Sequence, residues 1–190
     1  APIRMHIHLK RKGERIEYEI RDGNRATVHA MGEVERLDPS RALDWTAPDL
    51  DAVRDRATLS LDPDTLYARI IAEGLHIGAS FMPITMLHLS AGEALAKLSL
   101  PPRVLQTASD YILHPTLLTG VLQVALLNNK PGGMDDTRFI PVGIDEVEVH
   151  GALPSEGYVY TTPHARNKTN QNIRKFDAVY LNSDGVVVAK

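Results

Sequence analysis

The chain has 190 residues, 43% hydrophobic, 24% charged and 5% aromatic, enough apolar mass for a globular core without covalent staples. It has no cysteine, which excludes a disulfide framework, a thiolate zinc site and a cysteine nucleophile. A formal net charge of -3 with scattered basic residues argues against nucleic-acid binding, and no metal site is expected because the eight histidines form no His-x-x-x-His or His-Glu-x-x-His pair.

No apolar run is long enough to span a bilayer and the N-terminus has no signal-peptide pattern, so the expected location is cytoplasmic, with no membrane partner. The first segment alternates like a strand: Ile3, Met5, Ile7 and Leu9 share one face, and Arg4, His6, His8 and Lys10 the other. After a turn at Lys12-Gly13, Ile16, Tyr18 and Ile20 repeat the alternation. Asp22-Gly23-Asn24 is a hairpin signal, and Ala26, Val28, Ala30, Gly32 and Val34 form a third run. The cluster Arg11, Lys12 and Arg15 reads as solvated hairpin surface. Three strands with one apolar face need a cover, so this segment looks like the end of a larger unit.

Residues 38–60 carry Asp38-Pro39 and Ala47-Pro48-Asp49, show no clear period and read as a linker. Asp62-Pro63-Asp64 opens a helix with an apolar stripe of Leu66, Ile70 and Ile71, ended by Gly74. A hairpin is expected over 82–90 and 93–100 around Ala91-Gly92. A helix starts after His114-Pro115, and its Leu117–Leu127 stretch is apolar almost all round, which predicts burial on most sides. Strands are expected at 139–149, 157–163, 172–181 and 184–190, with turns at Pro154-Ser155-Glu156-Gly157 and Ser183-Asp184-Gly185. The order gives an α+β fold in which a curved antiparallel sheet wraps a central helix.

Four segments, in order along the chain, carry a resemblance. Val28-His29-Ala30-Met31-Gly32-Glu33-Val34 is similar to an "HAxG" strand, and Leu66-Tyr67 with Gly74-Leu75-His76-Ile77-Gly78-Ala79-Ser80-Phe81 to "LY…GLxYGPxF". Leu113-His114-Pro115-Thr116-Leu117-Leu118-Thr119-Gly120-Val121-Leu122-Gln123 resembles "LHPxLLDxxxQ". Phe139-Ile140-Pro141-Val142 with Val147-Glu148-Val149-His150-Gly151 is similar to "lPfxxxxvxxxG". Together they resemble the dehydratase domains of modular type I polyketide synthases, which are double hotdogs. The resemblance implies that residues 1–37 are the terminal strands of a first hotdog, 38–60 a linker and 61–190 a second hotdog.

In that family a histidine of the first hotdog abstracts a proton and an aspartate of the second helps protonate the departing hydroxyl, and each must reach the substrate. Thr119 stands at the aspartate position, and a hydroxyl that barely ionises near neutral pH is a poor general acid. Ile77 stands for a tyrosine and Ala79 for a proline. Gln123, which supports the aspartate in the family, is expected to have lost its partner. The histidine motif "HxxxGxxxxP" is not found; His8 with Gly13 has the wrong spacing, and the chain is expected to begin beyond that motif. No catalytic residue is therefore assigned, and Thr119 is the degenerate position.

Pocket candidates are Thr119, Gln123, Ile77, His76, Phe81 and His114. Gln123 lies one turn beyond Thr119 on the same helix face. His114, before a helix-start proline, reads more naturally as a cap or core residue, and His29 as a structural strand residue. His76 reads as a solvent-facing loop residue. Thr119 near a helix start can simply satisfy backbone groups. Gly132-Gly133 and Asp135-Asp136 read as a connection, and Ser80 and Ser155 lack a nucleophile-elbow context.

The resemblance implies substrates carried on the phosphopantetheine of an acyl carrier protein, no cofactor bound directly, and a neighbouring ketosynthase. It also allows a homodimer through the parent module. The departures favour a pseudo-enzyme with a structural or chain-branching role beside the ketosynthase. The alternatives are a modified enzyme such as an enoyl isomerase, or an active 3-hydroxyacyl dehydratase. A free-standing hotdog thioesterase would need a carboxylate on the central helix, and residues 115–129 contain none.

Overall fold

Alternation over the first 36 residues produces three antiparallel strands, β1 (Met5–Lys12), β2 (Arg15–Asp22) and β3 (Val28–Glu35), in the order β1-β2-β3. These come from a computed structural model that describes residues 3–24, 27–38, 45–72, 74–128, 140–165, 167 and 173–190. Ile7 stands opposite Ile20, Leu9 opposite Tyr18 and Ile16 opposite Val34, and opposed residues share a face, so one side is apolar. The other side carries ion pairs such as Arg15–Glu35 at 2.8 Å and Lys12–Glu17. A Cβ on Gly32 would meet the Tyr18 ring at 2.9 Å, so the glycine lets that ring lie across the strand. Ile7 and Leu9 are exposed, as is His29, which is a surface residue and not the structural strand residue expected. These strands belong to one unit, Ala1–Asp44; a second spans Trp45–Lys190.

The second unit begins inside the stretch read as a linker. Helix α1 (Leu50–Asp55) is capped by Asp49, whose Oδ1 accepts from the backbone N–H groups of Asp51 and Ala52 at 3.1 and 3.0 Å. Strand β4 (Leu59–Leu61) follows. Six residues are too few to show a helical period, and α1 is held by packing: Val53 is buried, and Trp45 and Leu50 cover Val179, Leu181 and Val187. Arg56 holds Glu93 through two hydrogen bonds, and Tyr160 Oη donates to the same carboxylate at 2.7 Å.

Helix α2 (Pro63–Ala72) starts where expected, with Asp62 Oδ1 accepting from Thr65 N at 2.9 Å. A 3-10 turn (Ala79–Phe81) leads to the hairpin of β5 (Ile84–Ser90) and β6 (Glu93–Ser99), whose tight turn uses Gly92 at φ +84. A short helix α3 (Pro102–Leu105) and a 3-10 turn (Ala108–Asp110), both unforeseen, precede α4 (Pro115–Asn128). Strands β7 (Glu156–Pro163), β8 (Phe176–Leu181) and β9 (Val187–Ala189) complete a six-stranded antiparallel sheet in the order β4-β5-β6-β7-β8-β9.

The core lies between α4 and this sheet. Leu117 and Val124 from the helix join Ala94, Ala96, Leu98, Val159 and Tyr180 from the strands in one buried cluster. The helix comes close because Gly120 has no side chain: a methyl there would sit 2.7 Å from Pro83 Cγ and 2.8 Å from Leu98 Cδ1. Within the unit α4 buries one side, through Thr116, Leu117, Gly120, Gln123, Val124 and Asn128, whereas Leu118 is exposed.

Three expectations need correction. Of the strand expected over 139–149, residue 139 lies outside the described residues. Residues 140–148 are not a strand, and ladder pairing is confined to the bridge of Val149 with Ala189. Ile140, Val142 and Ile144 alternate as a strand would but are exposed, and Pro141 supplies no N–H for a ladder. The turn expected over 154–157 ends sooner: β7 begins at Glu156, one residue before the strand expected over 157–163, and Gly157 lies in it opposite Leu98. The last two strands are shorter than the runs expected. Gly132-Gly133 and Asp135-Asp136 lie outside the described residues.

Candidate functional site

The start of α4 is fixed by His114. Its carbonyl accepts the first helical hydrogen bond from Leu118 N at 3.1 Å, and its Nδ1 accepts from the Thr116 N–H at 3.2 Å, so the imidazole is a side-chain N-cap. Nδ1 therefore has no proton, and Nε2–H donates to Thr107 Oγ1 at 3.0 Å, whose own proton goes to Val104 O at 2.7 Å. The Tyr111 ring stands edge-on at 5.0 Å. His114 is thus a buried neutral cap, with both ring nitrogens engaged by the fold.

Burial holds the His114 pKa below the ordinary histidine value, and the nearby Asp110 opposes this only in part. Folding therefore favours the neutral ring. Above the unfolded value of about 6.5 both states are neutral and the full stability is present. As pH falls below it, the unfolded chain takes up a proton that the folded chain resists, and stability is lost down to the folded pKa. Denaturant midpoints between about pH 7.5 and 5 are expected to fall more steeply for the wild type than for His114→Asn, which cannot titrate. Parallel slopes would show that the ring is not held neutral.

One turn into α4, the Thr119 hydroxyl donates to Pro115 O at 2.9 Å, the back-bond that threonine makes within a helix. The side chain is partly exposed, and the sequence of α4 contains no aspartate or glutamate. Gln123, on the same face, is buried and engaged at both amide atoms: its Oε1 accepts from Tyr67 Oη at 3.2 Å, and its Nε2 donates to Phe81 O at 2.9 Å. No aspartate stands beside Gln123 on α4, and the amide is taken up instead by Tyr67 and the Phe81 carbonyl. Tyr67 Oη in turn accepts from Ile84 N at 3.0 Å, and burial raises this phenol to a pKa of about 12.

Thr116 Oγ1 donates to Ser80 O at 3.0 Å, so the carbonyls of Ser80 and Phe81 are both received by side chains of α4. Thr119 lies between these two attachments, with Pro83 against Gly120 beside it. The structure thus joins Gln123 to Phe81, with Thr119 one turn earlier on the helix that His114 caps. His76 is an exposed loop residue, and Ile77 is half-buried against the core cluster. Tyr67 and Thr116 were not singled out as site residues. The signal for Tyr67 was present: a tyrosine on the buried stripe of a helix needs a hydrogen-bond partner for its hydroxyl.

The described residues contain no group of three or more histidine, cysteine, aspartate or glutamate side chains arranged to hold a metal ion. No described helix is long and apolar enough to cross a membrane. What the site offers is an apolar, hydroxyl-bearing helix start bracketed by the 79–83 segment, with no carboxylate on the helix.

Residues 46–190 match the family model described as "Polyketide synthase dehydratase N-terminal domain". Among curated proteins, the polyketide synthase PksN of Bacillus subtilis is 29% identical over 86% of this chain and 3% of its own length. A phenolphthiocerol/phthiocerol polyketide synthase of Mycobacterium tuberculosis is 31% identical over 73% of this chain and 7% of its own length. The chain thus spans a few per cent of these relatives. Among solved structures, a trans-AT polyketide synthase dehydratase domain from Brevibacillus brevis superimposes with a TM-score of 0.85 at 26% identity, covering 100% of this chain and 67% of that one. The dehydratase domain of the CurF module of curacin polyketide synthase shares the fold, with a TM-score of 0.81 at 20% identity over 97% of this chain and 64% of its own. Hotdog architecture, an antiparallel sheet wrapped on α4, therefore comes with a family: this chain belongs to the polyketide synthase dehydratase domains.

Proposed function

We propose that this chain is the second hotdog, with the end of the first, of a dehydratase-like domain that holds carrier-tethered acyl chains without dehydrating them. Its role is then structural or chain-branching beside a ketosynthase in a cytoplasmic module. The observation that carries this is the Thr119 hydroxyl, which donates to Pro115 O at 2.9 Å on a helix without a carboxylate. An acid that expels hydroxide needs a proton to give near neutral pH, and an alkyl hydroxyl already donating to a backbone carbonyl supplies none.

Two neighbours bear on the reading. Inactive mutants of the CurK dehydratase, one with aspartate replaced by asparagine and one with histidine replaced by phenylalanine, match this chain with TM-scores of 0.77 and 0.79. A fold of this kind tolerates loss of either group. The assignment to the second hotdog rests on motif order, since the "HAxG"-like strand at Val28–Val34 precedes the "LHPxLLD"-like segment at Leu113–Thr119. It is supported by the apolar face of the β1-β2-β3 sheet, which calls for a helix that the described residues of 3–38 do not supply.

The test is intact mass spectrometry of an acyl carrier protein loaded with a 3-hydroxyacyl chain, incubated with the complete domain in its parent module. The mass is expected to stay unchanged. Loss of one water would overturn the reading and make Thr119 part of an active site.

A further inference from the structure

We propose that Tyr67 is a positioning residue: through Gln123 it sets where the 79–83 segment rests on α4, and so fixes Phe81 against the helix that carries Thr119. This rests on the reading of that region as an acyl pocket, and the geometry itself needs no ligand. Three attachments hold the segment to the helix. Thr116 Oγ1 takes Ser80 O, Gln123 Nε2 takes Phe81 O, and Gly120 receives Pro83 in the space of its absent side chain. Thr119 is bracketed by all three.

Gln123 sets the Phe81 end, and its own orientation is not free. A glutamine amide turned by half a revolution would present oxygen to the Phe81 carbonyl and lose the bond. Tyr67 prevents this turn. Its hydroxyl accepts from the Ile84 N–H at 3.0 Å, so its proton is directed at Gln123 Oε1 at 3.2 Å. That fixes oxygen on one side and the NH2 on the side of Phe81. The chain Ile84 N–H, Tyr67, Gln123, Phe81 O has one direction throughout, and Tyr67 and Gln123 are both buried, so water does not substitute for either. The Phe81 side chain itself is 43% exposed, a wall residue whose backbone is anchored and whose ring is available.

The test compares backbone amide spectra of the full chain in three variants with the wild type. Tyr67→Phe removes the hydroxyl; Gln123→Glu keeps an acceptor for Tyr67 and loses the donor to Phe81; Ile70→Val thins the same face of α2 without touching the chain of bonds. Tyr67→Phe and Gln123→Glu are expected to shift the Phe81 and Thr119 amides, with Ile84 shifting strongly only in Tyr67→Phe. Ile70→Val is expected to leave Phe81 and Thr119 in place. A folded Tyr67→Phe or Gln123→Glu protein with unmoved Phe81 and Thr119 amides overturns the proposal. Should Tyr67→Phe fail to fold, Gln123→Glu decides alone.

Binding of butyryl and dodecanoyl pantetheine thioesters gives a second readout. The ratio of the two affinities is expected to change about tenfold in Tyr67→Phe and not in Ile70→Val, because moving a pocket wall alters discrimination where simple destabilisation does not. An unchanged ratio in Tyr67→Phe counts against the proposal. If the wild type binds neither thioester, the acyl-holding reading fails while the spectra still decide the role of Tyr67.

Discussion

Gly157→Ala is expected to destabilise the unit spanning Trp45–Lys190 by more than about 3 kcal/mol, the upper end of what overpacking costs. Gly157 lies in β7, beside β6 and β8, and a methyl group on it would enter the Leu181 carbonyl oxygen and lie 2.6 Å from Tyr180 Cε1. Neither neighbour gives way cheaply. The carbonyl belongs to the main chain of β8, and the Tyr180 ring is held in the core with its hydroxyl donating to Pro154 O at 3.2 Å. Relief therefore requires β7 and β8 to separate locally. Urea denaturation measures the effect; a midpoint within error of the wild type would show that the strands are not packed this closely. Gly92 is the comparison: its φ of +84 makes substitution strained, but a side chain there meets open space.

Leu98→Ala is expected to cost about 2–5 kcal/mol, the range for emptying a fully buried leucine site. Leu98 is fully buried beneath α4, with one methyl 2.8 Å from where a Gly120 Cβ would stand. That closeness makes the two positions coupled. Gly120→Ala alone is expected to cost about 1–3 kcal/mol by overpacking. In the double variant the alanine methyl enters space that Leu98 has vacated, so the combined cost is expected to fall below the sum by about 1 kcal/mol. Coupling remains partial because Pro83 Cγ, at 2.7 Å from the same point, is unchanged. A strictly additive double-mutant cycle would place the helix farther from β6 than the structure does.

Much of the fold was legible because its signals are local. The capping of α2 by Asp62, the glycine turns at Gly13, Gly92 and Gly185, and the alternation of β1 and β2 each follow from residues within a few positions. What escaped was set by distant contacts. The helix α1 has six residues and exists because Val53, Leu50 and Trp45 find apolar partners on the sheet. Gly157 stood where an expected turn met an expected strand, and neither reading shows that its requirement is the approach of β8. Segment 140–147 has the alternation of a strand but pairs with no strand among the described residues, and alternation alone does not supply a partner.

The site was legible to a similar depth. Thr119 stood out by resemblance, and the capping role of His114 followed from its place before Pro115. The engagement of Gln123 did not, because its two partners lie 56 and 42 positions away in sequence. A single sequence shows that a glutamine faces the core but not which hydroxyl it finds there.

The attachment of α1 has a mechanical consequence. Chain tension arriving from the side of residue 44 meets the second unit at Trp45 and α1, and is resisted by Arg56 on Glu93 and by Trp45 on the cluster of Val179, Leu181 and Val187. These contacts load β6, β8 and β9 on the sheet, not α4. The helix that carries Thr119 makes neither of these contacts, so tugging on the incoming chain strains the sheet before it reaches the bracket around Thr119.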